Sequence, residues 1–253
     1  MHNKLWDHYK NIDNKFKIVK HLKNRETALL TPAYTKVGFK SLRNIRCHST
    51  QTFDFMLKWA GLNQDDRPVN IYHSLATYKE GIPQEWKMAN RKETYAEWDK
   101  KRIRKTIAYD FVVDIDAPTH KEIGMAQEDT IRLYNILKPY NPSIRFSGKG
   151  FHIYISYEDM CGFRGMGIRK SSFNPDKSPN VYNDYYIIAK AMHDTITEFI
   201  DLCIYDSRRL IKCPNTLAFY GPKDVYICKE LTIKELEEFE LDKYKIKECD
   251  LDA

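Results

Sequence analysis

No apolar run in the 253-residue sequence approaches the roughly 18 residues of a membrane span, so an integral membrane helix is excluded. The first residues, Met1-His2-Asn3-Lys4-Leu5-Trp6-Asp7, lack the apolar centre of a signal peptide, and the expected compartment is the cytoplasm. No C-x-x-C pair occurs. The six cysteines (Cys47, Cys161, Cys203, Cys213, Cys228 and Cys249) are scattered, which indicates reduced, mostly buried thiols rather than a zinc module or a disulfide framework. There is no internal repeat and no low-complexity tract. What is present is 42% hydrophobic, 30% charged and 13% aromatic residues. That composition suits a folded, soluble chain, long enough for one large domain or two small packed lobes.

The formal net charge of +6 conceals a gradient. Residues 1–106 carry 22 basic and 11 acidic side chains, residues 107–229 carry 15 of each, and residues 230–253 carry 4 and 9. The three parts are therefore +11, zero and −5. A basic first part points to a polyanionic partner such as nucleic acid, although a solvated lysine-rich surface explains it equally well.

Leu5, Tyr9, Ile12, Phe16, Val19 and Leu22 recur at spacings of three and four, predicting a basic amphipathic helix with a possible break near Asn11–Asn14. A second helix is expected after Ser49 as N-cap, with Phe53, Met56, Leu57 and Ala60 inward and Gly61 as its stop. Val69–Leu75 reads as a strand and Gly81–Lys105 as a long polar loop. Ile107–Val113 is a β-rich run ending in Asp114-Ile115-Asp116-Ala117-Pro118. A helix over 122–138 follows. Ser143–Ser147 and Phe151–Ser156 then read as strands joined by Gly148-Lys149-Gly150. Residues 161–180 read as a mobile loop, Asn183 to about Asp201 as a helix, and Leu202–Tyr205 and Leu210–Ile211 as short apolar pieces around Asp206. Thr232-Ile233-Lys234-Glu235 is a capping box opening a last helix. From Ile107 the expected order is strand, helix, strand, strand, helix, strand, a βαββαβ unit that leaves one sheet face free for a ligand.

Three motifs can carry chemistry. Asp114 and Asp116 sit two apart on a strand, so they share a face and can hold a hard divalent cation that relieves their repulsion. D-x-D alone also arises by chance at strand ends. Ser147-Gly148-Lys149-Gly150-Phe151-His152 places a hydroxyl, a cation and an imidazole around a glycine turn and suits a phosphate, though a plain hairpin has the same pattern. Asp206-Ser207-Arg208-Arg209-Leu210-Ile211-Lys212-Cys213-Pro214 puts an acid ahead of three bases, which fits a metal-and-phosphate site or a surface ion-pair cluster. Together, three carboxylates, a phosphate cradle and bases are what metal-assisted nucleotidyl transfer requires.

In these three ordered motifs the sequence resembles the archaeal–eukaryotic primase superfamily, most of all the archaeal primase catalytic (small) subunit. Asp114-Ile115-Asp116 resembles its acidic motif, Ser147 to His152 its Ser-x-His motif, and Asp206 to Leu217 its third block. Weaker similarity runs through Arg25-Glu26 and Ile71–Tyr78, so the resemblance covers about residues 25 to 220. It implies an α+β, two-lobed primase-type catalytic core spanning 1–253. The parts are a basic N-terminal α/β lobe at 1–106, an RNA-recognition-like βαββαβ catalytic lobe at 107–229, and an acidic C-terminal helix and tail at 230–253. It further implies that Asp114, Asp116 and Asp206 bind two catalytic Mg²⁺ or Mn²⁺ ions. Ser147, Lys149, His152, Arg209 and Lys212 would hold the incoming nucleotide. The family's Cys/His insertion is missing, since no cysteine lies between Asp116 and Ser147, and no zinc is expected. Asn215 and Ala218 stand where the family has glycine and histidine.

The function so implied is a DNA primase catalytic subunit that makes short primers de novo on single-stranded DNA from nucleoside triphosphates. Its expected setting is the cytoplasm at the nucleoid, away from membranes, and a large primase subunit is a further partner that the resemblance implies. A stand-alone primase-polymerase or repair polymerase of the same superfamily is the alternative within the class. An inactive nucleic-acid-binding subunit and a metal-dependent nuclease are the alternatives outside it.

Overall fold

The computed structural model describes residues 7–32, 41–59, 68–78, 106–162, 181–206 and 209–246. The expected loop over Gly81–Lys105, the helix stop at Ala60–Gly61 and nearly all of the loop expected at 161–180 lie outside them.

Helix α1 (Ile12–Leu22) begins at Asn11, whose side-chain oxygen accepts from the Asn14 amide at 3.0 Å. The asparagine cap is thus the physical form of the expected break. Ile18, Val19 and Leu22 are buried, but Ile12 and Phe16 of the same predicted stripe are 54% and 62% exposed. Strands β1 (Arg25–Leu30) and β2 (Ser41–Ile45) follow. Next comes α2 (Thr50–Trp59), capped by Ser49 and burying Phe53, Met56 and Leu57 as expected. Lys15 joins the two helices through an ion pair with Asp54 at 2.6 Å. Strands β3 (Asn70–Tyr78) and β4 (Thr106–Tyr109) complete a sheet of order β2-β1-β3-β4.

The apolar run from Ile107 is two strands in two sheets, not one. β4 ends at Tyr109, and β5 (Phe111–Asp116) belongs to a second sheet. The cause is Asp110 between them. Its buried carboxylate accepts from Arg25, from the Tyr154 hydroxyl and, at 2.9 Å, from the Tyr157 amide, which fixes the crossing point.

Helix α3 (Ile123–Leu137) leads to β6 (Ser143–Phe146) and β7 (Gly150–Ile155), the expected hairpin. After the short α4 (Tyr157–Gly162), α5 (Val181–Thr195) ends about six residues before the expected Asp201. The chain instead turns and lies along the open edge of β5. Asp116 N donates to Phe199 O at 3.0 Å and Asp201 N to Asp114 O at 2.8 Å. An edge strand's unpaired backbone groups are satisfied in this way.

Leu202–Ile204 is a single 3₁₀ turn. The apolar piece after Asp206 forms β8 (Leu210–Lys212), which pairs with β3 in the first sheet rather than closing the second. Strands β9 (Leu217–Phe219) and β10 (Val225–Ile227) form a hairpin. β11 (Lys229–Leu231) pairs with β6, giving the second sheet the order β11-β6-β7-β5 with all neighbours antiparallel. The Thr232 capping box forms as expected and opens α6 (Ile233–Glu237).

The chain is therefore a mixed α+β fold. One apolar cluster lies between α3, α5 and the inner face of the second sheet, through Val113, Ile115, Phe146, Phe151, Ile153 and Leu133 among others. A smaller one gathers α1, α2 and the first sheet around Leu22, Phe53 and Ile71. Among the described residues, no helix is long and apolar enough to cross a membrane.

Candidate active site

Strand alternation places Val113 and Ile115 in the core and turns Asp114 and Asp116 to the opposite face, where both are partly exposed. The register sets Asp114 opposite His152 and Asp116 opposite Gly150. His152 Nε2 lies 3.3 Å from Asp114 Oδ1, without hydrogen-bond geometry. Asp114 Oδ1 and His152 Nδ1 are both buried with no hydrogen-bond partner. Lys149 donates to Asp116 Oδ2 at 3.2 Å. The Asp116 carboxyl is pushed above its ordinary range, first by burial and then by the Asp114 charge, with Lys149 and His152 opposing.

The glycine turn is closely packed. Gly148 has φ +99°, and a Cβ there would meet Ala218 Cβ at 2.7 Å and the Tyr220 ring at 2.9 Å. A Cβ on Gly150 would overlap the Ile115 carbonyl of the neighbouring strand. The Ser147 hydroxyl is engaged inside the turn, donating to Gly150 O at 3.1 Å and accepting from Gly150 N at 3.2 Å. Ser147 O in turn accepts from the Tyr220 hydroxyl and the Cys228 thiol, each at 3.3 Å.

Lys212 reaches this site from the other sheet. On β8 it pairs with Tyr72, and its Nζ sits 3.8 Å over the Tyr220 ring with no hydrogen-bond partner. Burial pushes the ammonium down to about 8, against the pull of Asp116 and Asp114. The structure thus brings together Asp114, Asp116, Ser147, Lys149, His152 and Lys212.

Asp206 and Arg209 form a pair of their own. Their side chains are 3.4 Å apart, Arg209 also donates to Cys203 O, and the Asp206 carbonyl accepts from Tyr109 at 2.7 Å. Among the described residues, no group of three or more His, Cys, Asp or Glu is arranged to hold a metal ion. Beside Asp116 an open hollow of about 380 Å³ is lined by Asp116, Pro118, Glu198, Phe199, Ile200 and Asp201.

A residue that motif reading misses is Arg145. It lies directly across from His152 on the hairpin and is 4% exposed. The signal was present, because a hairpin closing at Ser147–Gly150 pairs 145 with 152. Arg25, which the sequence marks only through the weaker similarity, ties Asp110 and Tyr154 to the carbonyls of Ser74 and Leu75.

The donor set fits a divalent cation. A buried carboxylate oxygen without a hydrogen-bond partner stands beside a second carboxylate whose ionisation it opposes, and a hard cation relieves both.

No protein-family model matches the sequence. No curated protein matches it either. Among solved structures, the chain is similar to the polymerase domain from Mycobacterium tuberculosis ligase D in complex with DNA, with a TM-score of 0.49 and 12% identity over 98% of this chain and 85% of that one. A likeness so distant leaves the chemistry to be argued from the residues themselves.

Proposed function

We propose that the chain is a metal-dependent nucleotidyl transferase that joins nucleotides to a nucleic-acid 3′ end on a template. The observation that carries this reading is the two-sided site. Asp114 and Asp116 share one strand face, and Lys149, His152 and Lys212 lie around them with N–H groups of the kind that a phosphate would accept from.

Asp114 and Asp116 would hold Mg²⁺ or Mn²⁺, which would stabilise the attacking and leaving oxygens of an in-line displacement, and Asp206 would join them as a third ligand only by leaving its pair with Arg209. Lys149 and Lys212 would hold the phosphates and offset the charge that builds on the departing pyrophosphate. His152, packed against Asp114, would donate to a phosphate oxygen while Asp114 orients its ring. Ser147 serves best as the pin of the turn, since its hydroxyl is already used there. Arg209 would join the phosphate contacts only by leaving Asp206.

Extension of an existing strand, as in a stand-alone primase-polymerase or repair polymerase, needs one nucleotide place beside a primer end. De novo primer synthesis needs a second nucleotide place as well. Extension of an existing strand is therefore the proposed activity, and priming is the second. Nucleoside triphosphates, a single-stranded template and, for priming, a large subunit are the proposed partners.

The test is primer extension and de novo synthesis on single-stranded DNA with Mg²⁺ or Mn²⁺. Asp114→Ala with Asp116→Ala is expected to abolish incorporation, and equal activity in that variant and the wild type would sink the reading. Asp206→Asn is assayed separately. Loss of activity there supports its place as third ligand, and retained activity confines the metal to the β5 pair.

A further inference from the structure

The cross-strand registers of the second sheet put Asp114, His152, Arg145 and Glu230 in one row, one residue from each strand. Directly opposed residues share a face, so this row lies on the side that carries the acids. Arg145 is 4% exposed, and its Nε and Nη1 are buried with no hydrogen-bond partner. Its counter-charge is Glu230, 3.4 Å from Nε without hydrogen-bond geometry, on a side chain that is 44% exposed.

The neighbours do not use up these donors. Arg25 is committed to Asp110, Tyr154 and two carbonyls. His73 is buried and directs Nδ1 at its own neighbour's carbonyl, Ser74 O, at 3.0 Å. His21, 3.6 Å from Glu230, is held neutral because burial, Arg145 and Arg25 push it down to about 3. The guanidinium is held flat by the Tyr154 ring 3.7 Å away. A buried, oriented fork with unused N–H groups is the geometry that takes an oxyanion, and leaving it empty is costly.

Distance favours one oxyanion. Neighbouring strands lie about 4.8 Å apart, so Arg145 stands about 10 Å along the row from Asp114, with His152 between. An extended triphosphate covers part of that span, and the long arginine side chain covers the rest. We propose that Arg145 receives the terminal phosphate of the bound nucleotide, so that it sets the preference for tri- over diphosphates. The inference rests on the nucleotidyl-transfer reading above and adds to it a residue outside all three motifs. Glu230 is then the resting counter-ion that the γ-phosphate displaces.

The experiment is calorimetric titration of the full chain with ATP, ADP and AMP in Mg²⁺. Wild type is expected to favour ATP over ADP by roughly tenfold to a hundredfold, the range of one charge-assisted contact. Arg145→Met is expected to bring that ratio close to one while leaving AMP affinity unchanged, and Arg145→Lys to restore part of it. Glu230→Gln, an isosteric change at a side chain 44% exposed, is expected to tighten ATP more than ADP. Wild-type ATP binding with an unchanged ATP:ADP ratio in Arg145→Met, or in Glu230→Gln if the arginine variants do not fold, overturns the role of Arg145 and leaves the nucleotidyl-transfer reading standing. Failure of the wild type to bind any of the three nucleotides overturns both.

Discussion

Lys212 has an environment that conflicts with its own charge. Its Nζ is buried, stacked on Tyr220 and without a hydrogen-bond partner, and burial lowers the ammonium from 10.5 to about 8. The unfolded chain holds this proton up to pH 10.5, whereas the folded chain releases it near 8. Unfolding therefore takes up a proton between those values, and stability rises with pH across that window; below 8 the penalty is complete and constant. Lys212→Met is expected to stabilise the protein by on the order of 1–3 kcal/mol at pH 7, with the gain shrinking towards pH 10. Thermal melts at the two pH values measure it, and a variant that melts lower than wild type at pH 7 would refute it. The same substitution is expected to weaken triphosphate binding, so stability and binding should move in opposite directions. That opposition is the mark of a group kept for a ligand rather than for the fold. At this scale the sequence is legible wherever a motif is local. Asp114 and Asp116 share a face by simple alternation, and Lys149 and His152 follow from one turn. Arg145 lies within the same reach, since the turn that closes at Ser147–Gly150 pairs it with His152. Lys212 stands out in its own motif, but its seat over Tyr220 depends on β8 joining β3, and that pairing is settled by residues far away in the chain.

Among the elements, the β5–β7 pair determines the site, and Gly150 determines how closely the pair can approach. A side chain there would strike the Ile115 carbonyl, between the two acids. Gly150→Ala is expected to cost about 3 kcal/mol or more, since neither backbone can yield without breaking the ladder. Gly124→Ala in α3, where nothing lies within 4 Å, is expected to stabilise by up to about 1 kcal/mol. Urea unfolding of both variants checks the contrast, and similar midpoints would mean that the glycine turn is not tightly packed. The hairpin itself was readable, because a Gly-Lys-Gly turn between two apolar runs has few other meanings. Asp110 was not. An acid inside an apolar run looks like ordinary alternation, and only its bonds to Arg25 and Tyr154 reveal a crossing between sheets. Strands β9, β10 and β11, of three residues each, carry too little alternation to be read without their partners. The helix expected to reach Asp201 stops at Thr195 because the edge of β5 needs backbone partners, a demand made by another element.

Over the whole molecule the charge gradient and the site make one electrostatic argument. The first 106 residues carry +11 and the last 24 carry −5, so the field runs along the chain from attraction to repulsion of a polyanion. Helices α1 and α2 present Lys17, Lys20 and Lys58 to solvent beside the exposed aromatic rings of Phe16, Phe55 and Trp59. Cations interleaved with aromatic rings are the combination that holds single-stranded nucleic acid, because phosphates and base faces are both served. Affinity for single-stranded DNA is therefore expected to fall linearly with salt on logarithmic axes, with a slope of about −0.7 for each phosphate neutralised. Replacing Lys17, Lys20 and Lys58 by glutamine is expected to flatten the slope by up to about 2 and to weaken binding at low salt. Nucleotide affinity at the Asp114–Asp116 site should stay unchanged, because the substituted lysines are exposed and none of them contacts that site. Fluorescence anisotropy of a labelled oligonucleotide from 50 to about 300 mM salt measures the slope directly. A slope that stays the same in the triple variant would place the template on another face, and one near zero in the wild type would remove electrostatics as the basis of template capture.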